Sequence, residues 1–403
     1  MNVSYKLTVP GQEKELRRSF VREIAPDVWM LEGYISDYFL LKPASSNIFM
    51  LRDGDSMLLL DTGTYPFYRE RMLDLMRRYK GDGVKRVDLM LTQGHFDHAS
   101  NNDVILESGL EWRFLLQEPE VKVLDYASDW MADFRDLEQL YNIYSLFDAR
   151  GITAPVNLAS RVSVGLARAV LRANFKLMFM GIDSLSGRAT ILPSAAKVKR
   201  SFGTVELEGW EVGRFFAIHD ASHTAGHISL YDPENRLLLA GDVTVEINPA
   251  FYYSSFERCI STCGQFRRMA EEGFIELATD SHRSTTFFPD VMDSLGLAPF
   301  DDMELVDVAR GQEECVRFFG AFEAFYSNLR DDVLAAHARA GEATIPEITE
   351  ELRSIDEPAV NQRKKMKFQR IPGRLDVLVA VVIKEAGAAS RREGERVLFS
   401  PAG

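Results

Sequence analysis

Cysteine is scarce here, with three in 403 residues, at 259, 263 and 315. That odd, sparse set lacks the dense, even pattern of a disulfide-stapled secreted protein. Cys259 and Cys263 stand four apart in ERCISTCGQF, but two thiols make only half of a structural zinc site, so they read as ordinary half-buried thiols. No window approaches the ~20 apolar residues of a membrane span, and the N-terminal MNVSYKLTVPGQEKELRRSF holds no apolar core for a signal peptide. A cytosolic (cytoplasmic) protein is expected. Basic residues are in deficit, 47 against 60 acidic, for a formal charge of −13. This argues against a chain devoted to nucleic acid or an anionic membrane, and for a small-molecule substrate. Internal repeats and low-complexity tracts are absent as well.

The chain has ample core material. Hydrophobic residues are 46% and charged residues 27%, as in soluble globular proteins, and the length suits one large domain plus a smaller one. SNIFML, RDGD and SMLLLDTG read as a β-hairpin, with apolar β-formers on either side of a Gly- and Asp-containing turn. In PFYRERMLDLMRRYK, Tyr68, Met72, Leu75, Met76 and Tyr79 fall on one helical face. VDLML is a short buried strand that runs into LTQGHFDHAS, so that motif lies on a loop at a strand's C-terminal end.

Between about 119 and 190 the pattern changes to a helical insertion, with Trp130, Phe134, Leu137, Tyr141 and Tyr144 at helical spacing. Strand patterns return in TVELEGWEVGRFFAIHDASH, HISLYD and RLLLAGDV. The region 306–403 reads as a C-terminal helical, winged-helix-like module following a larger first domain over 1–305. Its first helix ends at Gly341, a capping box joins Thr344 to Glu347, and SRREGERVLFS forms a terminal hairpin. The basic run NQRKKMKFQR reads as a solvated face or subunit contact.

Seven histidines are present, and five of them cluster in short motifs. His95 and His98 flank Asp97 in HFDH, His223 and His227 lie in SHTAGH, His282 lies in TDSHRS, and Asp242 closes LLLAGD. Imidazoles and carboxylates at the ends of successive strands suit a borderline-soft divalent cation. His219 and His337 read as satisfied structural histidines. Tyr252 and Tyr253, in FYYSSF, could donate to a developing oxyanion or could pack in the core.

TQGHFDH, SHTAGHISLYDPENRLLLAGD and DSHRS, preceded by SNIFML and LLLDTG, together resemble the successive motifs of the metallo-β-lactamase superfamily over roughly residues 20–290. The resemblance implies an α/β fold, a four-layer αββα sandwich, with a two-metal centre along one edge. Carried over by position, Gln93, His95 and His223 would face the first metal. Asp97, His98 and His282 would face the second, and Asp242 would bridge them. His227 would be structural, and Asp61 would orient a ligand from behind. The departure is Gln93, which stands where the family's HxHxDH motif has its first histidine. An amide oxygen is a poorer donor than imidazole, so two metals, one metal and a relic site all remain open.

The function so implied is a zinc-dependent, dinuclear hydrolase using a metal-bound hydroxide on an ester, lactone, thioester or amide-like bond, an activated aryl ester or ether included. Asp97, Tyr252 and Tyr253 are its candidate catalytic residues. Iron or manganese is less favoured than zinc. The alternatives are a non-haem iron oxygenase or sulfur-transfer enzyme on the same fold, and a weakly active or inactive partner subunit of an active homologue. A homo-oligomer, or a hetero-oligomer with a related subunit, is expected.

Overall fold

The computed structural model describes residues 21–33, 45–124, 185–245, 253–282, 308–358, 374–394 and 396–401, with isolated positions at 163, 166, 169, 173, 360 and 363. The aromatic stripe of the insertion, Tyr252 and most of the basic run fall outside them.

The first half holds β1 (Val21–Ala25), β2 (Val28–Leu31), β3 (Ile48–Asp53), β4 (Ser56–Leu60), α1 (Pro66–Gly81), β5 (Arg86–Met90), the single turn α2 (Phe96–Ala99), β6 (Glu111–Gln117), the short α3 (Glu120–Val123) and β7 (Thr190–Leu192). Its seven strands form one sheet in sequence order, antiparallel from β1 to β4 and parallel from β4 to β7. The second half holds β8 (Val198–Phe202), β9 (Val205–Val212), β10 (Phe215–His219), β11 (Ile228–Asp232), β12 (Leu237–Leu239), α4 (Phe256–Glu271), β13 (Leu277–Thr279) and β14 (Ala309–Arg310). These strands form a second seven-stranded sheet, with a parallel step between β12 and β13.

Alternation along the strands assigns the layers, because successive side chains point to opposite faces. Leu58 and Leu60 meet Leu230, Leu237 and Leu239 between the sheets, while Met57 and Leu59 lie under Tyr68, Met72 and Met76 of α1. The outer face of the second sheet is covered by α4 and by α5 (Gln312–Ala340), whose Phe318, Phe319, Phe322 and Phe325 are all buried. Helix, sheet, sheet and helix make the four-layer αββα sandwich.

The chain continues through α6 (Ile345–Ser354), α7 (Arg374–Glu385) and a hairpin of β15 (Ser390–Glu393) and β16 (Arg396–Phe399). Gly341 ends α5 at φ +69°, a backbone region that favours glycine, and the Thr344–Glu347 capping box is formed. These helices share one apolar core with α4 and the second sheet, to which residues 309–310 contribute β14. Arg391 and Arg396 on the hairpin pair with Glu342 and Glu347, and Arg363 grips Asp332 through two nitrogens at 2.6 and 2.8 Å. Their charges are thus taken up internally. Cys259 and Cys263 are fully buried within the shared core rather than half-buried, because they lie on the face of α4 that α5 covers.

Candidate metal centre

Five strand ends deliver the side chains to one edge of the sandwich. Asp61 follows β4, Gln93 to His98 follow β5, Asp220 and His223 follow β10, Asp242 follows β12, and His282 follows β13. The chain turns sharply at Asp61, which takes φ +62°, a region that short polar side chains tolerate better than branched ones. That turn aims its carboxylate at the next loop. Asp61 accepts from the Thr92 amide at 2.7 Å, and its Oδ2 lies 2.9 Å from His98 Nδ1. In its neutral form, the one that binds a metal, His98 keeps its proton on Nδ1, directed at Asp61, and its Nε2 lone pair faces the centre.

Around that lone pair the sequence-predicted residues divide into two halves. His98 Nε2 lies 3.9 Å from Asp97 Oδ1 and 3.4 Å from Asp242 Oδ2. His282 Nε2 lies 3.5 Å from Asp97 Oδ2 and 3.4 Å from Asp242 Oδ1. On the other side, His223 Nε2 lies 3.2 Å from His95 Nδ1 and 3.4 Å from Asp242 Oδ2. His95 Nε2 meets the Tyr253 hydroxyl at 2.9 Å.

Gln93, fully buried, turns its amide nitrogen inward, donating to Asp242 Oδ2 at 2.5 Å and lying 2.8 Å from His98 Nε2. Its Oε1 has no hydrogen-bond partner among the described residues.

The donor set fits a divalent cation. Ligand atoms ~2.0–2.2 Å from a tetrahedral ion stand about 3.3–3.6 Å apart, and the imidazole-to-Asp242 separations are 3.4 Å. Asp97, His98 and His282 bring one ligand atom each to within 4.8 Å of one another, and no other such trio is found among the described residues. The half containing Gln93 fits less well, since an amide nitrogen has no lone pair to give and the amide oxygen points elsewhere.

Burial works against ionisation of Asp242, yet His98, His282 and His223 around it hold its carboxyl well below the usual range. For Asp97 burial dominates, and its carboxyl is pushed up. Burial also opposes a charge on His98, but Asp61, Asp242 and Asp97 outweigh it and lift the imidazole well above its ordinary value. The carboxylates of Asp61, Asp242 and Asp97 thus set a potential at the imidazole of His98 that favours positive charge.

Three supports were not legible in the motifs. Asn47, fully buried, donates its amide to the carbonyls of Asp280 and His282 at 3.0 and 3.1 Å and so ties the last ligand loop to the first sheet. Only its place in SNIFML could have signalled it. Glu120 accepts from the Gly94 amide at 2.5 Å, the Thr224 hydroxyl at 2.6 Å and the Gly226 amide at 2.8 Å, linking the two histidine loops. Nothing local marks it. Asp220 accepts from Ser222, from Ser229 and from His227 Nδ1 at 2.7 Å, while His227 Nε2 accepts from the Asp242 amide at 2.8 Å. His227 therefore holds the backbone of Asp242. His219 and His337 contact the carbonyls of Ala225 and Phe399 at 2.9 and 3.1 Å.

The chain is thus an αββα sandwich with imidazoles and carboxylates gathered at its strand ends, and known proteins share that fold. Residues 156–286, which include His223, Asp242 and His282, match the family model for the Metallo-beta-lactamase superfamily. A metallo-beta-lactamase family protein from Thermus thermophilus is similar at 15% identity and TM-score 0.51, over 94% of this chain and 100% of that one. A beta-lactamase domain protein from Burkholderia ambifaria is similar at 14% identity and TM-score 0.52, over 95% of this chain and 93% of that one. The stereoselective inverting sec-alkylsulfatase Pisa1 from a Pseudomonas species is similar at 14% identity and TM-score 0.52, over 91% of this chain and 50% of that one. No curated protein matches the sequence. The chain has the metallo-β-lactamase fold and carries the superfamily's signature over residues 156–286. Among the described residues no helix is long and apolar enough to cross a membrane.

Proposed function

We propose that this protein is a metal-dependent hydrolase that opens an ester, lactone, thioester or amide-like bond in a small apolar substrate. The observation that carries this reading is the convergence of His98, His282, Asp97 and Asp242 at ligand spacing. Nitrogen and carboxylate donors favour zinc over iron or manganese. When bound, such an ion lowers the pKa of a coordinated water toward about 7 and polarises a substrate oxygen.

The remaining roles belong to the chain. Asp97, whose two oxygens face His98 Nε2 at 3.9 Å and His282 Nε2 at 3.5 Å, orients the attacking water and takes its proton. Tyr253, at hydrogen-bond distance from His95, donates to the oxyanion that develops on the substrate. Asp61 holds the tautomer of His98, and Asn47 holds His282 in place. The half lined by His95, His223 and Gln93 takes a second ion only when the Gln93 amide turns over.

Metal content of the purified full chain, measured beside chromogenic esters, lactones, β-lactams and alkyl sulfates, tests the reading. At least one zinc per chain is expected, with hydrolysis lost on chelation and restored by zinc. A chain that stays empty after equilibration with zinc overturns the proposal in favour of a metal-poor partner subunit. Bound iron with oxygen consumption points instead to oxidative chemistry.

A further inference from the structure

Two described stretches beside the centre, residues 243–245 and 253–257, are each held by a C-terminal helix. Tyr326, fully buried on α5, places its hydroxyl 2.9 Å from the Val243 carbonyl oxygen and 2.6 Å from that of Val245. Those carbonyls belong to the first and third residues after Asp242. At the other flank Glu385, the last residue of α7, accepts from the Ser255 hydroxyl at 2.7 Å and from the amides of Phe256 and Glu257 at 3.0 and 3.1 Å. The amides at a helix N-terminus have no partner within the helix, and a carboxylate there also complements the helix dipole. Ser255 is the N-cap of α4 and accepts from the Arg258 amide at 3.2 Å, so its hydroxyl links Glu385 to the helix.

Residues 253–255 carry contacts to the centre. Ser254 Oγ donates to the His223 carbonyl and the Ser255 amide to the Ser222 carbonyl, each at 2.8 Å, and the Tyr253 hydroxyl meets His95. The apolar core shared by α4, α5 and α7 docks these helices without regard to where a phenol points. Directional hydrogen bonds supply that orientation.

We propose that the C-terminal helices position the active centre: Glu385, by capping α4, sets Tyr253 against His95, and Tyr326, by holding the carbonyls after Asp242, sets that carboxylate among the imidazoles. This rests on the roles given to Tyr253 and Asp242 under the proposed function. Both are positioning residues, acting through the backbone of the segment they hold.

The test uses the full chain labelled with 3-fluorotyrosine, the Tyr253 resonance being assigned by its loss in Tyr253→Phe. In Glu385→Ala that resonance shifts, and the Phe256 and Glu257 amides exchange about tenfold faster or more, as expected when a charged acceptor is lost. Zinc binding in equilibrium dialysis stays unchanged, since no ligand is touched. Glu385→Gln keeps the side-chain size and one acceptor oxygen but loses the charge, so it shifts the Tyr253 resonance and speeds amide exchange in the same direction by less, and it is the decisive variant, read by the same outcomes, if the alanine does not fold. Tyr326→Phe removes one hydroxyl. It leaves the Tyr253 resonance in place and weakens zinc binding several-fold.

On a chromogenic ester, Glu385→Ala lowers kcat while KM holds within about twofold, as for an interaction made in the transition state. An unmoved Tyr253 resonance with fast-exchanging amides reduces Glu385 to a helix cap and overturns its positioning role. Amides that remain protected overturn the cap itself. Unchanged zinc affinity in Tyr326→Phe removes the Asp242 arm. A chain without hydrolysis sinks the proposed function, yet resonance and exchange still decide the part played by Glu385.

Discussion

The amide nitrogen of Gln93 stands 2.5 Å from Oδ2 of Asp242, the same oxygen that lies 3.4 Å from both His98 Nε2 and His223 Nε2. A hydrogen-bond donor therefore occupies the direction along which that oxygen would reach a metal in the His95 and His223 half. Cation and amide compete for one lone pair. The half built from Asp97, His98 and His282 shares Asp242 Oδ1, which faces His282 Nε2 at 3.4 Å and accepts from the Ser281 hydroxyl, a donor that rotates about its own bond where the Gln93 amide is fixed.

Gln93→His should remove that competition and supply an imidazole lone pair. Zinc stoichiometry by dialysis is expected to rise toward two per chain, with hydrolysis changed by no more than about tenfold, or ~1.4 kcal/mol in barrier. A parent that already binds two ions tightly, with no change in the variant, would show that Gln93 does not limit the site.

Replacing His98, His282 or Asp242 with Ala should strip metal and activity together. Bound ion stabilises the folded state by mass action, about 2.7 kcal/mol at a hundredfold excess over Kd, so these variants should also lose the rise in Tm that zinc gives the parent. Full metal occupancy in all three would refute the ligand assignment.

Glu120→Gln should destabilise the protein by about 1–3 kcal/mol, the cost of leaving a buried polar group unsatisfied. Its Oε1 and Oε2 each accept from a backbone amide, Gly226 and Gly94. A carboxamide presents one oxygen and turns an N–H toward the other donor. Urea midpoints of parent and variant measure the difference, and equal midpoints would mean that Glu120 does not hold the two histidine loops.

Asp220 gives a pH signature. Burial raises its carboxyl, but His227 and Ser222 outweigh burial and hold it below the ordinary value. With the folded pKa below the unfolded one, near 3.9, the ionised group contributes stability above about pH 4 that is lost as pH falls through the folded value. Asp220→Asn should be less stable than the parent at pH 7, with the gap closing on acidification. Urea titrations at several pH values check this, and a gap that widens in acid would reverse the sign.

Much of the fold was legible because local patterns carry it. The face of Tyr68, Met72 and Met76, the hairpin around RDGD, the strand in VDLML and the Thr344 capping box all depend on residues within a few positions of one another. Side-chain period, turn chemistry and cap hydrogen bonds are written at that range. The motifs that carry the candidate donors were legible for a related reason: each is a short run placed at a strand end.

What the sequence by itself determined was therefore the elements, their order and the identity of the donors brought to one edge. Tertiary structure alone decided that Asp242 shares its oxygens among three imidazoles, that Gln93 turns its nitrogen inward, and that Asn47, Glu120 and Glu385 tie loops far apart in the chain. Which loop a buried carboxylate reaches is set by how the two sheets and their helices pack, and that packing sums many weak, non-directional apolar contacts that leave no spacing rule in the sequence.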